Sequence, residues 1–149
     1  MIERAGVEHA QILARAGIDV LQDLPNYAGV PFVMSHTVTM LEKYIPLPEI
    51  GCFFKQVGGE VVGLFMGVIG SQWFTPQLEL SEVMFWVRSD YRSTPLARDL
   101  IKTMEAWAKT KDAHKIIMAA GSGYQTERVE KFYNRLGYKT TALTTCKEI

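Results

Sequence analysis

A mixed α/β (α+β) fold on a mostly antiparallel central sheet is predicted by three features of this 149-residue sequence. The pair Gly58-Gly59 separates two apolar, β-rich runs, which signals a hairpin because adjacent glycines readily supply the positive φ of a tight turn. A third β-rich run, residues 80–87, leads directly to a helix start at Thr94-Pro95. Alternation of helix and strand appears only after that point, so α/β crossovers are confined to the second half of the chain.

The elements follow in order. Residues 2–5 suit a very short first strand. Ala10, Leu13, Ala14, Gly17, Val20 and Leu21 recur at helical spacing. Residues 24–31 hold two prolines, Asn26 and Gly29, and read as a loop. A second helix over 35–44 is closed off by Pro46 and Pro48. Strands over 52–57 and 61–69 flank the glycine pair. After the third strand, Thr94 suits an N-cap and Pro95 the first helical position, where its missing N–H costs nothing. Leu96, Leu100, Met104, Trp107 and Ala108 mark one face of a helix reaching Thr110. A short buried strand spans 115–119 and is broken by Gly121-Ser122-Gly123. Val129, Phe132, Tyr133 and Leu136 predict a last helix that Gly137 stops as a C′ residue. Residues 138–149 read as one or two closing strands.

Length and composition predict one domain, residues 1–149. With 48% hydrophobic and 21% charged residues the chain has the make-up of a globular protein, which excludes disordered and fibrous architectures. Cys52 and Cys146 are too few for a disulfide framework or a four-cysteine zinc site. Neither has a basic cluster nearby to activate it. The longest apolar run, 61–70, is far short of the ~20 residues of a spanning helix. With Glu3, Arg4 and Glu8 the N-terminus is unlike a signal peptide. The expectation is a soluble, cytoplasmic domain with no membrane partner. His9, His36 and His114 lie in separate elements without ligand spacing, so no metal site is expected.

Charge sums to zero but is uneven. Residues 1–80 hold four Lys/Arg against eight Asp/Glu, and residues 81–149 hold twelve against eight. This distribution disfavours nucleic-acid binding, which needs a concentrated basic surface. It suits an anionic cosubstrate on the C-terminal half and a cationic partner on the other, or is simply scatter of solvated charge.

Two segments go beyond patterning. Val87-Arg-Ser-Asp-Tyr-Arg-Ser-Thr-Pro-Leu-Ala-Arg-Asp-Leu-Ile101 resembles the acyl-coenzyme A loop of the GNAT N-acetyltransferases, Arg/Gln-x-x-Gly-x-Gly/Ala between a strand and a helix, with Arg92 and Ala97 at its first and last positions. Val129-Glu-Lys-Phe-Tyr-Asn-Arg-Leu-Gly-Tyr138 is similar to the family's late helix, which commonly ends in Tyr-x-x-x-Gly-Phe or Gly-Tyr. Together with the element order, the resemblance covers nearly the whole chain. It implies the GNAT fold, with helices on both faces of a sheet whose central strands splay into a V. It also implies acetyl-CoA as cosubstrate and direct transfer of its acetyl group to a primary amine of a small molecule or peptide. Cofactor-binding residues implied are Phe85 and Val87 along the pantetheine arm and Arg92, Ser93, Thr94, Leu96, Ala97 and Arg98 around the diphosphate.

The implied acid is Tyr133, placed to protonate the departing thiolate; an ordinary core tyrosine is the other reading. Tyr124 and Tyr138 have weaker claims. Glu82 is the candidate base, expected to share a strand face with Leu80, Met84 and Trp86, where burial would raise its pKa. A solvated Glu82 stays open, with Glu79 as fallback. Trp73, Phe74 and Pro76 form an apolar loop that rims the acceptor site, mediates a homodimer contact or simply packs. The family's central loop glycine is Pro95 here, and proline offers no N–H to a phosphate. Ser93, Thr94, Arg92 and Arg98 could compensate. The alternative is a GNAT-like structural or interaction protein with a degenerate cofactor loop and no turnover; a third reading is an enzyme of the same fold that uses a longer acyl-CoA.

Overall fold

A computed structural model describes residues 1–120 and 123–149. Gly121 and Ser122 of the predicted strand break lie outside the described residues. Among the described residues five strands form one sheet in the order β1-β2-β3-β4-β5. β1 (Ile2–Arg4), β2 (Ile50–Val57), β3 (Glu60–Ser71) and β4 (Leu78–Val87) run antiparallel, and β5 (Lys115–Ile117) joins β4 in parallel. α1 (Ala10–Gln22) and α2 (Met34–Tyr44) precede β2, α3 (Leu96–Thr110) links β4 to β5, and α4 (Thr126–Arg135) follows β5.

Alternation along the strands divides the core into two layers. Phe53, Val62, Phe65 and Leu80 pack under α3 against Leu100, Ile101 and Met104, while Cys52, Phe54 and Leu64 face the other way, toward Leu13, Ala16 and Val20 of α1. Fully burying one such side chain stabilises by about 1.5–3 kcal/mol, so the two layers hold the sheet between the helices. The β2–β3 turn has φ of 59° at Gly58 and 84° at Gly59, the primed geometry expected of the glycine pair.

β4 carries the irregularity that shapes the site. Met66 of β3 faces Met84, but the next residue, Gly67, faces Glu82. Val83 is therefore an extra, half-exposed residue, a β-bulge. It reverses the alternation: Leu80 before it and Phe85 and Val87 after it all lie on the α3 side, whereas Met84 and Trp86 turn to α1. This corrects the expectation that Glu82 shares a face with Leu80, Met84 and Trp86, because strict period two does not survive an inserted residue.

Three further expectations need correction. Residues 138–149 form no strand; Lys139 to Ile149 are exposed without ladder pairing. Their threonines favour an extended chain, but β-propensity makes a strand only where an edge is alongside to pair with. The strand expected over 115–119 ends at Ile117. α3 starts at Leu96 with Pro95 as N-cap, one residue later than predicted, although the Thr94 hydroxyl still accepts the Leu96 N–H at 3.3 Å.

Candidate active site

Pairing between β4 and β5 covers only Glu79–Ser81 against Lys115–Ile117. Beyond Ser81, β4 continues to Val87 with no strand on that edge among the described residues. The two strands part there, and a cleft of about 1120 Å³ opens between the free edge of β4, the end of α1 and the flank of α4. Backbone groups on an open edge are ready to pair with an extended ligand, as a further strand would.

Glu82 sits at the apex of this opening. Its carboxylate accepts the Ala119 N–H at 2.9 Å, across the gap from β4, and the Phe85 N–H also faces it. Burial pushes its pKa up to about 7, against the pull of these two N–H groups toward the ionised form. No cation pairs with it among the described residues. A carboxyl that is half ionised near neutrality, at the head of a cleft, is suited to taking a proton.

Tyr133 projects from α4 into the same cleft. It is buried at 7% exposure and packs against the rings of Phe85, Phe132 and Tyr138, at centroid distances of 6.4, 5.8 and 5.9 Å. Its hydroxyl has no hydrogen-bond partner among the described residues. Burial first, then the negative charge available on Glu82, raises its pKa, so it keeps its proton at every physiological pH. Tyr138, one of the two weaker candidates, is tied up: its hydroxyl donates to Glu105 Oε1 of α3 at 2.9 Å.

Four of the residues expected at a cofactor border the cleft: Phe85, Val87, Arg92 and Ala97. Ser93, Thr94, Leu96 and Arg98 do not. Leu96 is buried under β3, and the Arg98 side chain turns outward beside Asp99, at 3.6 Å. Thr94 is bound into its own turn, with its N–H and hydroxyl both donating to the Tyr91 carbonyl, at 3.1 and 2.6 Å. Arg92 is a tie rather than a free cation. Its Nε donates to the Val87 carbonyl at 2.8 Å, one terminal nitrogen donates to the Tyr124 hydroxyl at 2.6 Å, and the other pairs with Asp23. The Trp86 indole N–H donates to the same Asp23 oxygen at 2.8 Å. These contacts fasten the end of α1 to the end of β4.

Sequence reasoning missed Asp23, which lies in a loop with no periodicity to mark it. It also missed Arg128, Lys131 and Arg135, which border the cleft from α4; their helical spacing was legible. A smaller apolar pocket of about 340 Å³ adjoins the cleft at Leu24 and Tyr27, between α1 and the loop to α2. Trp73 and Phe74 stand outside both pockets, 94% and 68% exposed, stacked edge-on against each other. Among the described residues no group of His, Cys, Asp and Glu could hold a metal ion, and no helix is long and apolar enough to cross a membrane.

Residues 21–138 match the profile of the acetyltransferase (GNAT) family. No curated protein matches the sequence. Among solved structures, an aminoglycoside acetyltransferase from an uncultured soil metagenomic sample superposes with a TM-score of 0.75 at 16% identity, covering 100% of this chain and 97% of that one. Glucosamine-6-phosphate N-acetyltransferase from Arabidopsis thaliana gives 0.76 at 12% identity, over 99% and 97%. A ribosomal-protein-alanine N-acetyltransferase from Brucella melitensis biovar Abortus 2308 gives 0.73 at 15%, over 100% and 99%. At these identities the likeness is one of fold.

Proposed function

The chain belongs to the acetyltransferase (GNAT) family, and from that premise we propose that residues 1–149 act as one domain that transfers an acetyl group from acetyl-CoA directly to a primary amine. The observation that carries this reading is the meeting of Glu82 and Tyr133 at the open edge of β4. The cleft suits the donor: its lining runs from Glu82 at the apex to Ala97 at the start of α3, along an edge of β4 that no strand covers beyond Ser81 among the described residues.

The bound donor supplies an activated thioester; the chain supplies position and proton management. An amine arrives as its ammonium and must lose a proton before its lone pair can attack. Glu82, ionised above its pKa of about 7, takes that proton directly or through one water. The N–H groups of Phe85 and Ala119, which face the Glu82 carboxylate, favour its ionised form, the form able to take the proton. Tyr133 holds the proton that the leaving sulfur requires, and recovers through water the second proton that the nitrogen loses as the amide forms. The balance is one N–C bond formed, one C–S bond broken and one proton released.

The acceptor is a small-molecule or peptide amine entering from the α1 side, past Leu24 and Tyr27. The net negative charge of residues 1–80 favours a cation there. The second reading, a binding protein without turnover, is favoured by Pro95 in the α3 turn. Calorimetric titration with acetyl-CoA, followed by a thiol-release assay over a panel of amines, separates the two. Binding with amine-dependent thiol release supports the transferase; absence of binding at millimolar donor supports the alternative.

A further inference from the structure

The smaller pocket beside the cleft is made of side chains that the core leaves over. Ile18 and Leu21 of α1 and Leu24, Tyr27, Val30 and Phe32 of the following loop line its volume of about 340 Å³. Of these six, only Leu24 packs against a core layer, and Ile18, Tyr27 and Val30 are 43%, 51% and 52% exposed. Apolar side chains scattered singly over a surface need no explanation, but a group of them gathered around a concavity marks a binding surface.

The local sequence builds this concavity. Gly17 stands inside α1, where glycine is a poor helix former. A Cβ there would lie 2.8 Å from Cε2 of Phe32, so its absence lets the Phe32 ring lie against the α1 backbone as a wall of the pocket. Gly29, at φ 84°, makes a left-handed turn in the loop. The loop is also tied by its own backbone: the N–H groups of Tyr27, Ala28 and Val30 donate to the carbonyls of Leu24, Pro25 and Tyr27 at 2.9, 3.1 and 3.0 Å. The pocket is therefore formed before anything fills it.

Its chemistry is selective. No Asp, Glu, Lys, Arg or His lines it, and Gln22 is its one side-chain amide. A second ammonium placed there would lose water without gaining a counter-charge. Leu24 and Tyr27 line the cleft as well, so the pocket is continuous with the space that holds Glu82 at its apex. The other acids lining the cleft are poor partners for further ammonium groups. Asp23 is held by Arg92 and the Trp86 indole, and Glu127 stands on α4 with Arg128, Lys131 and Arg135.

We propose that the acceptor is a primary monoamine with an apolar arm, its nitrogen meeting Glu82 and its arm seated among Ile18, Leu21, Tyr27, Val30 and Phe32. The proposal rests on the acetyltransferase reading and narrows it: polycationic amines and hydroxyl-rich amino sugars are poor acceptors. Seating the arm removes from water the apolar side chains that the free protein leaves exposed.

A thiol-release assay with acetyl-CoA tests this on three amines: hexylamine, diglycolamine, which has the same length with two carbons replaced by oxygen, and the polyamine spermidine. Wild type should favour hexylamine over diglycolamine by about thirtyfold in kcat/KM, with spermidine no better than diglycolamine. Ile18→Asp and Val30→Asp each set a carboxylate in the pocket at an exposed position, and each should cut that ratio about tenfold. A thermal melt reports that they are folded, and Val30→Asp, in the loop, carries the test should the helix variant unfold. Diglycolamine or spermidine used as well as hexylamine overturns the proposal and leaves the transferase reading intact. So does a ratio that the folded variants leave unchanged, as when the patch instead joins two copies of the chain, which a mass measured in solution would show. Thiol release with none of the three amines overturns both.

Discussion

Glu79 and Glu82 stand three residues apart on β4 and meet opposite electrostatic fates. Glu79 lies where β4 and β5 are still paired. It is buried at 5% exposure, accepts a hydrogen bond from Gln72 at 2.5 Å and pairs with Lys115 at 3.2 Å. Those partners hold its pKa below the usual carboxylate range, with Gln72 the largest influence. Glu82 lies just past the point where the strands separate. It has backbone N–H groups but no cation among the described residues, and burial raises its pKa to about 7. The comparison teaches that the same residue type is held ionised or titrates near neutrality according to the side chains that come with it, Gln72 and Lys115 beside Glu79 and backbone N–H groups alone at Glu82. Here the departure of β5 from β4 decides which.

The largest test of that contrast is Glu82→Gln, which keeps the shape and the acceptor oxygen but cannot take a proton. It should lower kcat/KM by about 10²–10³ and remove the rise in rate through pH 7, read from a pH–rate profile in a thiol-release assay. An unchanged profile would mean that the ammonium is deprotonated by water alone. Tyr133→Phe comes next. The lost hydroxyl has no hydrogen-bond partner among the described residues, so folding should be unaffected in a thermal melt while kcat falls about tenfold to a hundredfold with little change in KM for acetyl-CoA. Equal kcat in mutant and wild type would return Tyr133 to the core.

Glu79→Gln should act on stability instead. Its folded pKa is depressed, so its stabilising effect is present above the unfolded value of 4.5 and fades as pH falls through the folded pKa. The variant should melt a few degrees lower at pH 7, with the gap closing in acid and the midpoint of the pH–rate profile unmoved. The smallest effect is the reverse one at Glu82. Its folded pKa is raised, so it contributes stability fully present below about 4.5 and lost as pH rises through about 7. Glu82→Gln should therefore gain in melting temperature relative to wild type between pH 5 and pH 8. A constant difference across that range would show that the Glu82 carboxyl is solvated.

Much of the frame was legible because it rests on local chemistry. The glycine pair specified the β2–β3 turn, and helical spacing specified α1, α3 and α4. Gly137, at φ 93°, ends α4 through the Gly137 and Tyr138 N–H groups, which donate to Asn134 and Tyr133 at 3.0 and 3.1 Å. The candidate pair Glu82 and Tyr133 was also named from residue type and motif position. The bulge at Val83 was not legible, since no glycine or proline marks it; it exists because the register of β3 shifts against β4. The strands expected after Tyr138 show the converse failure, where threonine-rich propensity found no edge to pair with.

The sequence by itself determined the order of elements, the apolar faces that make two core layers, and the absence of an amide donor at Pro95. These depend on residues near one another in the chain. Only the tertiary structure decided which charges are free. Arg92 is claimed by Asp23, 69 residues away, whereas Glu82 meets only backbone N–H groups, that of Ala119 lying 37 residues away, and Arg128, Lys131 and Arg135 border the cleft. A charge is reactive or silent according to its neighbours in space, and those are fixed by the path of the folded chain.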